Sequence, residues 1–351
     1  MIKNSVKLAV VTLGLLSVNC YADDSEVVSL FDGEKENIVQ EDKNDEGKGL
    51  FSFLNFKVPF SDEKIKKQTS SGDIIKQADN GNLESQLLLG YFYLYGENGF
   101  TVDYEKAFEY YGKAALQNDP TGLNNLGSLY YSGIGVKRNS AKAVILFQKA
   151  AELGNADAAV NLGFILMTGN GAVQDKEKAM QYFERAAELE NSIAQFMLGY
   201  AYYTGKYRPQ NYIMAAPLIK KAADAGIDEA QLILADIYIK GFGFPQNYNN
   251  AVKYLRLSAS QGNTEAMMTL ADILVEGEKY KKDIEFAHVL YNLAAVRGVA
   301  DAPKKRQEVE SKMKINDILN AQFQAESFVE KPTPLTTYIH QTFGNNLRAM
   351  F

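Results

Sequence analysis

The sequence predicts an all-α solenoid, a rod of stacked helix pairs, on three observations. A small residue, Leu and Gly or Ala recur in phase six times; an Ala with two bulky residues three and four positions later recurs in the same phase; and Gly punctuates both series. The first series reads Ser85–Leu89–Gly90, Gly122–Leu126–Gly127, Ala158–Leu162–Gly163, Ala194–Leu198–Gly199, Ala230–Leu234–Ala235 and Ala266–Leu270–Ala271. From Leu126 to Leu270 the step is 36 residues; the first step is 37 because the Gly96–Asp103 loop carries one extra residue.

Each first helix places its small residue, Leu and a third apolar residue at i, i+4 and i+8, as in Ala158, Leu162 and Leu166, which makes one apolar stripe. The second helices are marked by Ala107, Ala143, Ala179, Ala215, Ala251 and Ala287, followed by pairs such as Leu146/Phe147 and Tyr182/Phe183 and then by small pairs such as Ala150–Ala151. Small residues let two backbones approach, and aromatic rings fill the space around them. Gly96, Gly133, Gly169, Gly205, Gly241 and Gly277 fall where first helices should end in a left-handed cap. A single pair cannot bury its own stripe, so the array needs stacked neighbours and atypical ends.

The ends are atypical. Residues 62–81, with Ile74 and Ala78 at second-helix positions, read as an N-terminal capping helix ahead of six repeats over 82–300. Pro303 and the Arg306–Gln307 pair break the pattern, so 301–330 read as C-terminal capping helices. Residues 331–351, with Pro332 and Pro334, read as a loose tail.

The N-terminal region reads as an export signal. Lys3 and Lys7 precede an apolar run from Leu8 to Val18, shorter than a membrane span, and Cys20–Tyr21–Ala22 supplies a cleavage site after Ala22. Asn19 argues against the alternative, lipid anchoring at Cys20. Cleavage would remove the one Cys, leaving a disulfide-free protein in the periplasm or beyond, without stable membrane insertion. Residues 23–61 read as an acidic, disordered linker with an apolar island at 50–60 (Leu50-Phe51-Ser52-Phe53-Leu54-Asn55-Phe56) that either covers the open end of the array or docks on a partner. Ten acidic residues against two Lys give 23–47 a net −8, more than the −6 of the whole chain, and leave 48–351 neutral. With no basic stripe, nucleic acid is excluded as a partner.

The repeat, with its Leu-Gly, a Tyr three residues on, a Gly loop and a late Ala-Ala, resembles the Sel-one-like repeat, a branch of the tetratricopeptide superfamily, over residues about 70–300. The resemblance implies a right-handed α/α solenoid and an adaptor that assembles complexes, with many bacterial members exported. A cysteine-rich branch has penicillin-binding or β-lactamase members; no repeat here contains Cys, so that activity is not carried over. The resemblance also implies that first helices line a concave face. One turn round from the core stripe lie Tyr91, Ser128, Phe164, Tyr200, Asp236 and Asp272, and three further on Leu94, Tyr131, Met167, Tyr203, Ile239 and Val275, with Asn124 and Phe196 nearby. Tyr91, Asn124, Tyr131, Phe164, Phe196, Tyr200, Tyr203 and Asp236 are therefore the candidate groove residues for a protein or peptide partner.

Catalytic and metal signals are weak. His288 and His340 lie in no motif. Residues 42–47 resemble the start of a calcium loop, but its twelfth position is Phe53 instead of Glu. Gly133-Ile134-Gly135 and Gly241-Phe242-Gly243 follow no strand and are repeat loops. The expectation is a non-catalytic scaffold without cofactor or metal. The alternatives are a cell-wall-associated or β-lactamase-like enzyme and a secreted host-interaction factor.

Overall fold

The structure, a computed structural model, describes residues 71–343 and 347–350. The export signal, the acidic linker, the apolar island and the start of the N-terminal cap lie outside the described residues. Among the described residues every regular element is helical. A short α1 (Ser71–Asp79) precedes six pairs: α2 (Leu83–Tyr95) with α3 (Tyr104–Leu116), α4 (Pro120–Ser132) with α5 (Ser140–Glu152), α6 (Ala156–Thr168) with α7 (Lys176–Glu188), α8 (Ser192–Thr204) with α9 (Tyr212–Asp224), α10 (Asp228–Lys240) with α11 (Tyr248–Ser260), and α12 (Thr264–Glu276) with α13 (Ile284–Val296). After these come α14 (Ala302–Glu310), α15 (Ile315–Glu326), α16 (Pro334–Phe343) and a 3₁₀ turn (Leu347–Met350). Each helix from α1 to α13 packs on the next, and α15 returns onto α13, which gives an α-solenoid.

Local chemistry sets these boundaries. Asn82, Asp119, Asn155, Asn191 and Asn263 precede first helices, and the side chain of each accepts a hydrogen bond from the backbone N–H three residues on, at 2.6–3.1 Å. The amides of Asn155, Asn191 and Asn263 also donate back to the start of the preceding first helix, at Pro120 O, Asp157 Oδ1 and Asp228 Oδ2, so one residue type both caps a helix and ties it to the repeat before. First helices end at a left-handed glycine; Gly133, at φ 75°, returns its N–H to Leu129 O.

The core is the surface between helices. Ala107, Leu126, Phe147, Ala158, Phe183 and Leu270 are fully buried or nearly so. The Leu-Gly glycine is needed where α6 meets α7: a Cβ on Gly163 would lie 2.6 Å from the Phe183 ring. Tyr rings stack between paired helices at equivalent points of the first and fifth repeats, Tyr93 on Tyr110 at 5.9 Å and Tyr238 on Tyr254 at 6.1 Å. At the C-terminal cap, buried His288 on α13 lies with Nε2 2.8 Å from the Glu310 carboxylate of α14, which makes it a packing residue.

The end of the chain departs from the sequence expectation of a loose tail over 331–351. Pro334 is the first residue of α16, where a missing N–H costs no helical hydrogen bond, and the Thr333 hydroxyl accepts from Thr336 N at 3.1 Å. The prolines that read as breakers start a helix instead. Ile339 and Leu347 of this segment are buried.

Candidate binding surface on the first helices

In the first five pairs the first helix is the more deeply enclosed. Of thirteen residues α6 buries ten and α7 five. The enclosure is uneven along the array. At one repeat position Ser128 and Phe164 are 0% and 2% exposed, whereas Tyr200 and Asp236 are half-buried. A cavity of about 250 Å³ opens there, walled by Tyr200 and Tyr203 of α8, Asp236 and Ile239 of α10, Glu265 and Thr269 of α12, and Arg348 of the 3₁₀ turn.

Tyr200 stacks on Phe196 at 5.9 Å and on Tyr203 at 6.3 Å, forming an aromatic wall. The Tyr203 hydroxyl donates to the Asp236 carboxylate, and Lys240 Nζ lies 2.8 Å from the same carboxylate. Burial, and then the hydrogen bond to Asp236, push the Tyr203 phenol well above its usual range, so it stays a donor at physiological pH. The cavity thus offers an aromatic side, an acidic rim and two cations, Lys240 and Arg348: a surface for contact and hydrogen bonding. Among the described residues no cluster of three or more His, Cys, Asp or Glu could hold a metal ion.

The structure brings together three of the eight candidate groove residues, Tyr200, Tyr203 and Asp236, with Phe196 buried behind them. Tyr91 is half-buried and lies 4.8 Å from Tyr95, centroid to centroid. The rest are buried in packing. Asn124 accepts from Asn161 Nδ2 at 3.0 Å, a link between the second and third repeats. Tyr131 donates to Asn170 O at 3.0 Å, and Phe164 meets Phe183 edge-on at 5.1 Å. Asp272, placed by the resemblance on the concave face, instead accepts from Tyr291 at 2.5 Å and Lys305 at 2.7 Å and fastens the C-terminal cap.

Sequence reasoning missed Glu229, Glu265 and Arg348. The available signal was a break in the caps: Ile227 stands before α10 where every other first helix has Asn or Asp, and no side chain caps that helix from within its own turn.

Six successive segments, 83–119, 120–155, 156–191, 192–227, 228–263 and 264–298, match the Sel1 repeat, and the chain belongs to the Sel1 repeat family. It is similar to c5321, described as a protective antigen of uropathogenic Escherichia coli strains displaying an SLR fold, at 28% identity and a TM-score of 0.63 over 78% of this chain and 59% of that one. It is also similar to a Sel1 repeat protein from Oxalobacter formigenes, at 25% identity and a TM-score of 0.52 over 71% of this chain and 98% of that one. A 51-residue stretch is 47% identical to the ERAD-associated E3 ubiquitin-protein ligase component HRD3B of Arabidopsis thaliana; it spans 14% of this chain and 8% of that protein. Sel1 repeat proteins generally mediate protein–protein interaction. Among the described residues no helix is long and apolar enough to cross a membrane.

Proposed function

We propose that this protein is a non-catalytic scaffold that holds a protein or peptide partner against its first helices, centred on the cavity at Tyr200, Tyr203 and Asp236. The observation that carries this reading is the uneven enclosure of one repeat face: packed shut in the second and third repeats, open with aromatic and acidic side chains from the fourth onward. Tyrosine at such a surface adds contact area at modest entropic cost, and a rigid array adds little further ordering cost on binding. The HRD3B likeness supports the same reading, since that protein is a component of a larger ligase.

The scaffold works in the bacterial envelope, delivered by the signal over residues 1–22, with the periplasm as its first destination. Secretion to contact a host is the second reading, favoured by the likeness to a protective antigen.

The test is photo-cross-linking in intact cells from position 269, which lines the same cavity. A defined partner should be captured, and Tyr200→Ala with Tyr203→Ala should reduce capture about tenfold or more while helical circular dichroism is retained. Undiminished capture by the double variant sinks the groove reading. Cell fractionation with N-terminal sequencing tests export: the mature chain should begin at Asp23, and an uncleaved cytoplasmic chain contradicts it.

A further inference from the structure

Residues 331–343 and 347–350 lie across the fourth to sixth repeats through a chain of specific bonds. Lys331 N donates to Ser260 O at 2.8 Å, and Thr333 N donates to Gln261 Oε1 at 2.9 Å. The Thr336 hydroxyl donates to Gly226 O at 2.8 Å, and its oxygen accepts from Asp228 N at 3.2 Å. His340 Nε2 lies 3.2 Å from Asp228 Oδ1. Arg348 donates from its backbone N to Glu229 Oε2 at 3.2 Å and from Nη2 to Glu265 Oε2 at 2.8 Å.

The seat for this segment is built into the repeats. Ile227 supplies no cap for α10, and the Thr336 hydroxyl accepts from the start of that helix in its place. Gly226 leaves the room: a Cβ there would lie 2.7 Å from Thr333 Cγ2. The fifth repeat thus lacks the one residue that would make an external acceptor redundant, and it lacks it where the segment docks.

The occupant fits incompletely. Glu229 is 1% exposed, yet its Oε1 has no hydrogen-bond partner. Arg348 Nε, also buried and without a hydrogen bond, forms an ion pair with that oxygen at 3.7 Å, a separation too long for a hydrogen bond. A guanidinium can fork onto one carboxylate with two parallel bonds; here its side chain bonds Glu265 and leaves Glu229 Oε1 without a hydrogen bond. A buried carboxylate oxygen that accepts no hydrogen bond weakens the docked state, and an arginine arriving at a better angle would remove that cost.

We propose that Asp228, Glu229 and Glu265 form a docking site for an arginine-bearing basic peptide segment, with the chain's own 331–343 and 347–350 as the resident occupant, displaced when a partner's segment competes. This deepens the scaffold reading by naming the partner's chemistry and a gate on access. It rests on the first-helix face being a binding surface.

The experiment uses the full chain and a fluorescent peptide of residues 331–350, read by anisotropy. The wild-type chain, whose seat is filled, should bind the peptide about tenfold more weakly than a Thr336→Val, Arg348→Ala double variant whose own segment is loosened. Peptide carrying Arg348→Ala should lose about tenfold on that variant, and so should wild-type peptide when Glu229→Gln and Glu265→Gln are added. Equal binding to both chains, no binding to a double variant with native circular dichroism, or indifference to the peptide's arginine overturns the proposal. Hydrogen exchange on the unmodified chain gives an independent reading. Excess unlabelled peptide should speed exchange of the α16 amides and leave α10 unchanged, and α16 amides that ignore the competitor overturn the proposal. A wild-type dimer whose segments exchange between chains overturns it as well. Both readouts use only the purified chain and its own peptide, so they succeed or fail independently of whether a partner is captured in cells.

Discussion

The second and third repeats and the fourth to sixth are built from one repeat unit but finish it differently. In the second and third, Asn124 and Asn161 bond across the stack, Phe164 packs on Phe183, and Asp119 and Asn155 cap their own helices. No buried side-chain polar atom of these two repeats lacks a hydrogen-bond partner. In the fourth to sixth, half-buried Tyr200 and Asp236 occupy the position of Ser128 and Phe164, Ile227 replaces a capping Asn, and the missing bonds come from a segment more than a hundred residues away in sequence. A repeat protein can therefore hold a rigid half and a receptive half in one frame, because stacking requires only the Leu-Gly and Ala-Ala positions and leaves the others free to vary.

The comparison breaks most sharply if the packed half is not what carries stability. Phe183→Ala removes a fully buried ring from the third pair and should cost about 3–5 kcal/mol in urea unfolding, with the loss of structure centred on α6 and α7. A cost below about 1 kcal/mol would mean that this half is not close-packed.

The receptive half should respond to pH, and the packed half should not. Burial pushes the Glu229 carboxyl up to about 7 from an ordinary 4.5; Arg348 pulls it down and Asp228 pushes it further up. His340 is raised above 6.5, first by its hydrogen bond to Asp228 and further by Glu229 and Glu330, with burial opposing. The segment's own contacts with Glu229, the Arg348 charge and the backbone at Arg348 and Leu347, hold that carboxyl down and so favour the carboxylate. His340, bonded to Asp228, holds its proton more tightly in the docked state, so its contribution is present below 6.5 and is lost as pH rises through its raised value. Exchange protection of α16 should fall from pH 6 to pH 8, after correction for the intrinsic rate, while that of α6 stays constant. Equal loss in both helices contradicts the assignment.

A smaller effect separates internal from external capping. Asn155→Ala should lower global stability by about 1 kcal/mol, since it removes the cap of α6 and the bond to Pro120 O. Thr336→Val should reduce protection of α16 by a similar amount, about 1 kcal/mol, and leave thermal unfolding of the repeats nearly unchanged. A large drop in repeat stability from Thr336→Val would make the segment a structural strut instead of an occupant.

The repeats were legible because one period is stated six times, and each restatement of Leu162–Gly163 or Ala186–Ala187 constrains the others. The groove was half legible. Phase alone puts Tyr131, Phe164 and Tyr200 on equivalent faces, but it carries no information on whether a neighbouring side chain closes over them; Asn170 and Phe183 close over the first two. The docked segment was illegible for a different reason. It belongs to no repeat, Pro334 reads equally as a breaker or as a helix's first residue, and its bonding partners are set by tertiary folding rather than by local pattern. Ile227 was the one local clue.

The most direct measurement places a photo-reactive side chain at Thr269, which lines the same cavity as Arg348, in the otherwise unaltered purified chain, and maps the cross-links by mass spectrometry. Cross-links to residues 347–350 of the same molecule, replaced by cross-links to an added arginine-bearing peptide as its concentration rises, are the predicted result. Cross-links that never reach 347–350, or that persist unchanged at saturating peptide, would contradict a surface that is both occupied and exchangeable.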